Sequence, residues 1–301
     1  MMLLQSLQEA QQADFVRHLA LGFFDGLHIG HATLIRAWED AASNAVLTFQ
    51  PHPLSIVAPE QKPPLITALP HKLKILEGWK IGAVLLFPFD QRQAQQPAEE
   101  FLQNLPFPRL QSVSVGEDFR FGWQRQGGAP LLTAWAASRG ISLRVIPRVK
   151  RGNEPISSRR IRRCIQNGEL AEASAMLGRP FSLYGEVVTC GQLGRKLGFP
   201  TVNLRTLDEC WPPTGVYAGA TILEDGTEWP SAINIGWRPT VDEQTTEQRI
   251  ESHLLNFSGD LYGQLVHIVP KQKIRAEEKF ASLDALRSAI QADVEHVRKM
   301  S

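Results

Sequence analysis

Leu21-Gly22-Phe23-Phe24-Asp25-Gly26-Leu27-His28-Ile29-Gly30-His31 decides how the first half of this 301-residue chain folds. An apolar run precedes it and helical text over residues 32–42 follows, so it reads as the turn from a buried strand into a helix. Two histidines flank a glycine at a point where free backbone N–H groups gather positive potential. An anion such as a triphosphate can be held there by amides, and imidazole donors can stabilise charge developing at a phosphorus. Gly30 lets the chain approach the phosphates closely. Taken alone, an H-x-G-H is equally well read as a loop whose histidines satisfy surface hydrogen bonds.

The neighbouring text strengthens the first reading. Residues 45–49, 83–87, 112–115 and 143–146 are apolar runs that predict buried strands. Helical patterns at 32–42, 70–79, 98–105 and 130–138 alternate with them, the order of a parallel α/β sheet. Thr48-Phe49-Gln50-Pro51-His52-Pro53 follows the second strand, at the carboxyl edge where open α/β folds bind ligands. Gly116-Glu117-Asp118-Phe119-Arg120-Phe121-Gly122 follows another, with turn glycines, an acceptor in Asp118 and a stacking aromatic in Phe119. Ile156-Ser157-Ser158-Arg159-Arg160-Ile161-Arg162 opens a helical stretch predicted over 158–177, with serines as cap candidates. Arginines in a first turn oppose the helix dipole, so a bound anion explains them better than helix stability does.

Beyond Gly178-Arg179-Pro180 the texture changes to short strand candidates at 181–188, 216–222, 231–235, 251–256 and 265–270, separated by Gly, Pro and Asp-Gly turns. That spacing predicts an antiparallel barrel or sandwich. A helix over 282–299 closes the chain, capped by Ser282 and ending on Arg298 and Lys299. Gly191, Gly194 and Gly198 make Gly191-Gln-Leu-Gly-Arg195-Lys-Leu-Gly-Phe-Pro-Thr201-Val-Asn203 a loop able to cover a nucleotide. Thr201 and Asn203 alternate, so both point the same way, and a hydroxyl with an amide oxygen suits Mg²⁺, which takes few protein ligands. The plain alternative is a Gly-rich hairpin with two incidental polar residues. Glu251 begins its predicted strand with His253 on the same face. Beside a magnesium-bound triphosphate its carboxylate can take a proton from an attacking hydroxyl. Otherwise it is an edge-strand charge paired with Arg249 or Arg275.

Composition sets the outer bounds. With 43% hydrophobic and 21% charged residues the chain is ordinary globular text, long enough for two cores. Cys164, Cys190 and Cys210 form no C-x-x-C pair, so neither a disulfide framework nor a zinc site is expected. No signal-like N-terminus or membrane-length apolar run is present, and a cytoplasmic location is expected, with no membrane partner. Between Arg148 and Arg163 seven Lys/Arg face only Glu154. The run is short and has no aromatics among its basic residues, so phosphates on a small molecule explain it and no nucleic acid is called for.

The first set of motifs resembles the adenylyltransferase module of bacterial bifunctional riboflavin kinase/FAD synthetases, a branch of the H-x-G-H nucleotidyltransferases, over residues 19–177. The resemblance implies that His28 and His31 contact the ATP phosphates, that Asp118 shapes the nucleotide site and that Arg162 reaches the phosphates. Gly22, Asp25, Gly30, Ser157 and Ser158 join that set, and Pro51, His52, Pro53 and Phe119 are flavin-side candidates. It implies in-line attack of the FMN phosphate on the α-phosphorus, with pyrophosphate leaving. Phe23 stands where the family usually has asparagine, and Arg159 where threonine usually follows the serines. The run Gly194-Arg-Lys-Leu-Gly-Phe-Pro-Thr-Val-Asn203 and the text around it resemble the riboflavin kinase domain, from Gly178 to the C-terminus. That implies magnesium on Thr201 and Asn203, ATP on Gly191, Gly194 and Arg195, flavin near Arg275, and Glu251 as base for the ribityl 5′-hydroxyl. The fold implied is a Rossmann-like α/β nucleotidyltransferase domain, 1–175, followed by a six-stranded antiparallel β-barrel with a C-terminal helix, 176–301. The expected partners are riboflavin, FMN and ATP; self-association is not readable. A monofunctional riboflavin kinase with a weakened first module is the alternative within enzymes, and a non-catalytic flavin carrier the alternative outside them.

Overall fold

The computed structural model describes residues 1–189, 194, 197–239 and 246–300. It divides into two compact units, Met1–Ser158 and Arg159–Ser301.

In the first unit six parallel strands form one sheet: β1 (Met2–Leu4), β2 (His18–Leu21), β3 (Asn44–Gln50), β4 (Ala83–Pro88), β5 (Ser112–Gly116) and β6 (Ser142–Ile146). Their order is β1-β4-β3-β2-β5-β6. The central strands are apolar on both faces because both faces are covered. Leu19, Leu21, Leu47, Leu85, Val113 and Val115 pack into one core and Ala20, Val46 and Val84, one residue out of phase, into another. The chain leaves β2 toward β3 on one side and returns to β5 on the other. The carboxyl ends of β2 and β5 therefore flank a topological switch point, the place where such sheets bind ligands. A two-stranded hairpin, β7 (Lys150–Arg151) and β8 (Glu154–Pro155), follows.

Two predicted helices are corrected. The helix expected over 32–42 runs from Ile29 to Ile35. It stops there because the Asp40 side chain accepts from Ala42 N at 3.1 Å and caps a separate 3-10 turn, Ala41–Ser43. The stretch over 158–177 is two helices, Ser158–Gln166 and Leu170–Leu177. Gly168, at φ 79°, takes the left-handed conformation that ends the first. The edge strand β1 was not expected from the sequence.

In the second unit β9 (Leu183–Val188), β10 (Val202–Thr206), β11 (Gly215–Ile222), β12 (Glu228–Pro239), β13 (Thr246–Leu254) and β14 (Leu265–Arg275) close into a barrel in the order β10-β13-β12-β11-β14-β9. Every pair is antiparallel, which bears out the six-stranded barrel. Strands β12, β13 and β14 run longer than their apolar runs predict, because the hydrogen-bonded ladder continues beyond those runs. The last helix, Leu283–Met300, is capped by Ser282 Oγ, which accepts from Ala285 N at 3.1 Å. It packs Val294 and Val297 on Ala218, Ala232 and Leu255. Among the described residues no helix is long and apolar enough to cross a membrane.

Candidate functional site

The loop leaving β2 is tightly coiled. Phe24 and Leu27 have positive φ (55° and 42°), as does Gly26 (83°). At its end His28 caps the helix Ile29–Ile35, its Nδ1 accepting from His31 N at 3.3 Å. In the neutral ring that hydrogen bond assigns the proton to Nε2, making it a donor. The His28 and His31 rings stack at 3.6 Å and 16°. Phe24 meets His31 edge-on at 5.3 Å. A methyl group at Gly30 would lie 3.2 Å from the His28 ring, and one at Gly22 would collide with Phe24. Those two glycines are thus required by close packing of the loop on itself.

Asp25 faces the back of the loop. Its buried carboxylate accepts from Ile66 N at 2.8 Å and Thr67 N at 3.1 Å. Thr67 Oγ1 in turn accepts from Gly26 N at 3.0 Å, and Ser158 Oγ donates to the Asp25 carbonyl at 2.8 Å. Ser157 precedes it, half-buried at the mouth of the same helix.

Sequence reasoning missed Lys72. In helical text it reads as a surface cation, yet it is 3% exposed. Its Nζ donates to the Phe23 carbonyl at 2.6 Å and lies 4.2 Å from the centre of the Phe23 ring. Burial lowers its pKa to about 8 against the opposing pull of Asp25. Phe23 therefore does not leave an asparagine's place vacant: its ring covers this ammonium and meets His52 edge-on at 4.2 Å.

The other loops of the carboxyl edge are built locally. β3 runs to Gln50, and the Gln50–Pro51 peptide is cis. His52 then caps the helix Pro53–Val57, its Nδ1 accepting from Leu54 N at 2.9 Å, with Pro53 in the first turn. After β5, Phe119 N donates to Gly116 O at 2.9 Å, and the Phe119 ring stacks on Phe121 at 5.6 Å. Asp118 is paired with Arg148 at 3.0 Å.

Arg159, Arg160 and Arg162 lie on the helix Ser158–Gln166, in the second unit. Arg160 is paired with Glu172 at 3.0 Å, and Arg159 is exposed.

The second constellation is set by strand register. Asn203 on β10 is directly opposite Glu251 on β13, and Glu251 is directly opposite Asn234 on β12. Ile250, Ser252 and Leu254 alternate with them and are buried in the barrel, so Arg249, Glu251 and His253 share the outer face. Glu251 is the sixth residue of its strand, and in a closed barrel it is no edge charge. Arg249 bridges the pair: its Nε donates to Asn203 Oδ1 at 2.7 Å and its Nη2 is ion-paired with Glu251 Oε1. Arg275 instead grips Asp293, with Nε–Oδ1 at 3.0 Å and Nη2–Oδ2 at 2.8 Å. His253 Nδ1 donates to Pro200 O at 2.8 Å. A methyl group at Gly194 would lie 3.2 Å from Thr201 Oγ1, so the glycine lets the loop meet the strand. Gly191 and Arg195 lie outside the described residues.

The donor set on this face fits a hard cation. Asn203 Oδ1 and Glu251 Oε1 already share one positive group, the Arg249 guanidinium. Among the described residues no group of three or more His, Cys, Asp or Glu is arranged to hold a metal.

Residues 10–160 match a family model described as FAD synthetase, and residues 177–301 one described as riboflavin kinase. The chain is 35% identical over 297 residues to a bifunctional riboflavin kinase/FMN adenylyltransferase of Escherichia coli K12, covering 96% of this chain and 94% of that one. A protein of the same name from Haemophilus influenzae is 34% identical, with 98% and 97% covered. A solved structure described as a macrolide-efflux protein from Streptococcus pneumoniae superposes with a TM-score of 0.82 at 27% identity, covering 100% of this chain and 99% of that one.

Proposed function

Since the chain belongs to the bifunctional riboflavin kinase/FMN adenylyltransferase family, we propose how its residues divide the two reactions. The enzyme phosphorylates riboflavin to FMN and adenylylates FMN to FAD, using ATP in both steps. One observation carries the division: the stacked His28/His31 pair and the Asn203–Glu251 pair lie in different compact units, each matched by a different family model.

In the first unit an FMN phosphate oxygen attacks the α-phosphorus of ATP in line, the bond to the bridging β-phosphate oxygen breaks, and pyrophosphate leaves. His28, through Nε2, and His31 donate to the triphosphate as charge shifts onto it. Gly22 and Gly30 keep the loop thin beside the phosphates, and Ser157 and Ser158 complete the phosphate contacts. Asp25 acts on the nucleotide through the loop it holds. Asp118 shapes the nucleotide site, and Pro51, His52, Pro53 and Phe119 form the flavin side. No protein nucleophile is needed, since positioning and electrostatics suffice for phosphoryl chemistry of this kind.

In the second unit Glu251 accepts the proton of the ribityl 5′-hydroxyl as that oxygen attacks the γ-phosphorus, the bond from that phosphorus to the β–γ bridging oxygen breaks, and ADP leaves. Thr201 and Asn203 hold Mg²⁺, whose charge neutralises the phosphates when it is bound. Gly191, Gly194 and Arg195 cover the nucleotide, and Arg275, fixed by Asp293, stands on the flavin side. The functional boundary falls at 175/176, and the protein works in the cytoplasm without membrane or nucleic-acid partners. Incubation with riboflavin and Mg-ATP followed by chromatography tests the reading. FMN followed by FAD is expected; FMN alone means a silent first unit, and neither product means a carrier.

A further inference from the structure

We infer that Lys72 is a positioning residue for adenylyl transfer, its buried ammonium fixing at Phe23 the main chain of the loop that carries His28 and leads to His31. The inference rests on the assignment of that reaction to the first unit. Lys72 reaches the loop from the helix Leu69–Gly78, far away in sequence, and its Nζ donates to Phe23 O at 2.6 Å and lies 3.3 Å from Thr48 Oγ1. Packing alone does not explain the charge. Thr48 Oγ1 already donates to Phe23 O at 2.9 Å, so the carbonyl is satisfied without the lysine. An apolar side chain of the same length would fill the space without desolvating an ammonium, and such replacements of buried charge are often neutral or stabilising. The charge is retained at a cost, where the helix Leu69–Gly78 reaches both the loop after β2 and Thr48 of β3. Buried titratable groups held that way cluster at functional sites.

The titration of Lys72 gives the inference two opposite signatures. Asp25 is the charged group that acts on it from the loop, and Phe23 and Thr48 face it without charge. Its folded pKa, about 8, lies below the 10.5 of an unfolded lysine. The unfolded chain therefore binds more protons between those values, and the first unit gains stability as pH rises through them. Adenylyl transfer does the reverse, falling as the ammonium is lost above about 8.

Lys72→Met is the test, with both activities and thermal unfolding followed from pH 6 to 10. The expected result is unfolding at or above the wild-type temperature at pH 7, kinase turnover unchanged and adenylyl-transfer kcat down about 10²-fold, the scale of a 1 Å misplacement. The KM for ATP should change far less than kcat, and both pH signatures should vanish. Adenylyl transfer within about 2-fold of wild type overturns the inference, since a 1 Å misplacement is expected to cost far more. A fall in unfolding temperature, with ATP KM rising in step with the kcat loss, overturns it equally by making the lysine merely structural. His28→Ala/His31→Ala is measured alongside. If that variant keeps FAD synthesis, the site assignment itself has failed; if it loses FAD synthesis while Lys72→Met does not, only the role of Lys72 has failed.

Discussion

The loop between β2 and the helix Ile29–Ile35 is shaped by side chains that reach it from elsewhere, through Asp25 to Ile66 and Thr67 and through Lys72 to Phe23. Glu251 is placed by strand register, with Asn203 and Asn234 directly opposite it in a closed barrel. A loop site has short glycines, tight coils and several buried polar anchors, any of which can be cut without touching substrate. A ladder site has backbone hydrogen bonds on both sides of the functional residue, so its side chain can change while its position does not. Substitutions in the first unit should therefore mix stability with activity, and those on the barrel face should separate them.

Glu251→Gln is the sharpest case. It removes the base and keeps the ladder, so FMN formation should fall roughly 10²–10⁴-fold, the usual contribution of a general base, with unfolding temperature unchanged. FAD formation from supplied FMN should stay at the wild-type rate. Parallel loss of both activities would break the comparison.

In the loop, His28→Ala/His31→Ala should lower FAD formation about 10²–10³-fold, the scale of losing one transition-state donor, and FMN should accumulate. Stability should fall as well, because His28 caps its helix. Unchanged FAD output would remove the histidines from the phosphate site.

Asp25→Ala goes further toward stability. It strips the acceptor from two buried amides, Ile66 and Thr67, at about 1–3 kcal/mol per unsatisfied group. The first unit should melt earlier and FAD synthesis should weaken, with the kinase rate intact. A melting curve like the wild type's would mean that the anchors do not hold the loop.

The smallest effect lies at the amino ends of the strands. His18 Nδ1 is 2.6 Å from Ser112 Oγ, its ring stacks on Trp38, and burial lowers its pKa, with Arg144 and Arg17 acting the same way and Asp40 opposing them. The unfolded chain takes up that proton first. His18's contribution is thus complete above its ordinary value of 6.5 and lost as pH falls below it. His18→Asn should flatten the acid limb of unfolding temperature in the first unit and leave both activities unchanged at pH 8. An identical acid limb would assign the sensitivity elsewhere.

Strands β2 to β5 were legible in the sequence because burial on both faces demands unbroken apolar runs such as Ala83-Val84-Leu85-Leu86-Phe87; β6, expected to be buried, is instead an edge strand with Val145 exposed. The barrel strands were legible only in part. The outward residues Arg249, Glu251 and His253 are polar, and nothing local marks where the ladder begins. The break at Gly168 was hidden because helical text runs on both sides of it. Within the sites, His28, His31, Thr201, Asn203 and Glu251 stood out because motif spacing displays them. Lys72 did not, since a lysine in helical text looks solvated and only the tertiary fold buries it. Arg249 was visible as a partner for Glu251, but its bond to Asn203 depends on the register of β10 against β13, which no local pattern encodes.

The claim that the two reactions are separately housed is tested most directly by mixing two crippled proteins. Glu251→Gln and His28→Ala/His31→Ala are each given riboflavin and Mg-ATP, alone and together, and FAD is measured. Neither alone should make FAD beyond trace; the mixture should, because FMN released by the histidine variant is a substrate for the Glu251 variant. A mixture that makes no FAD, although the Glu251 variant converts supplied FMN, or a single variant that makes FAD from riboflavin at the wild-type rate, would contradict the two-site arrangement.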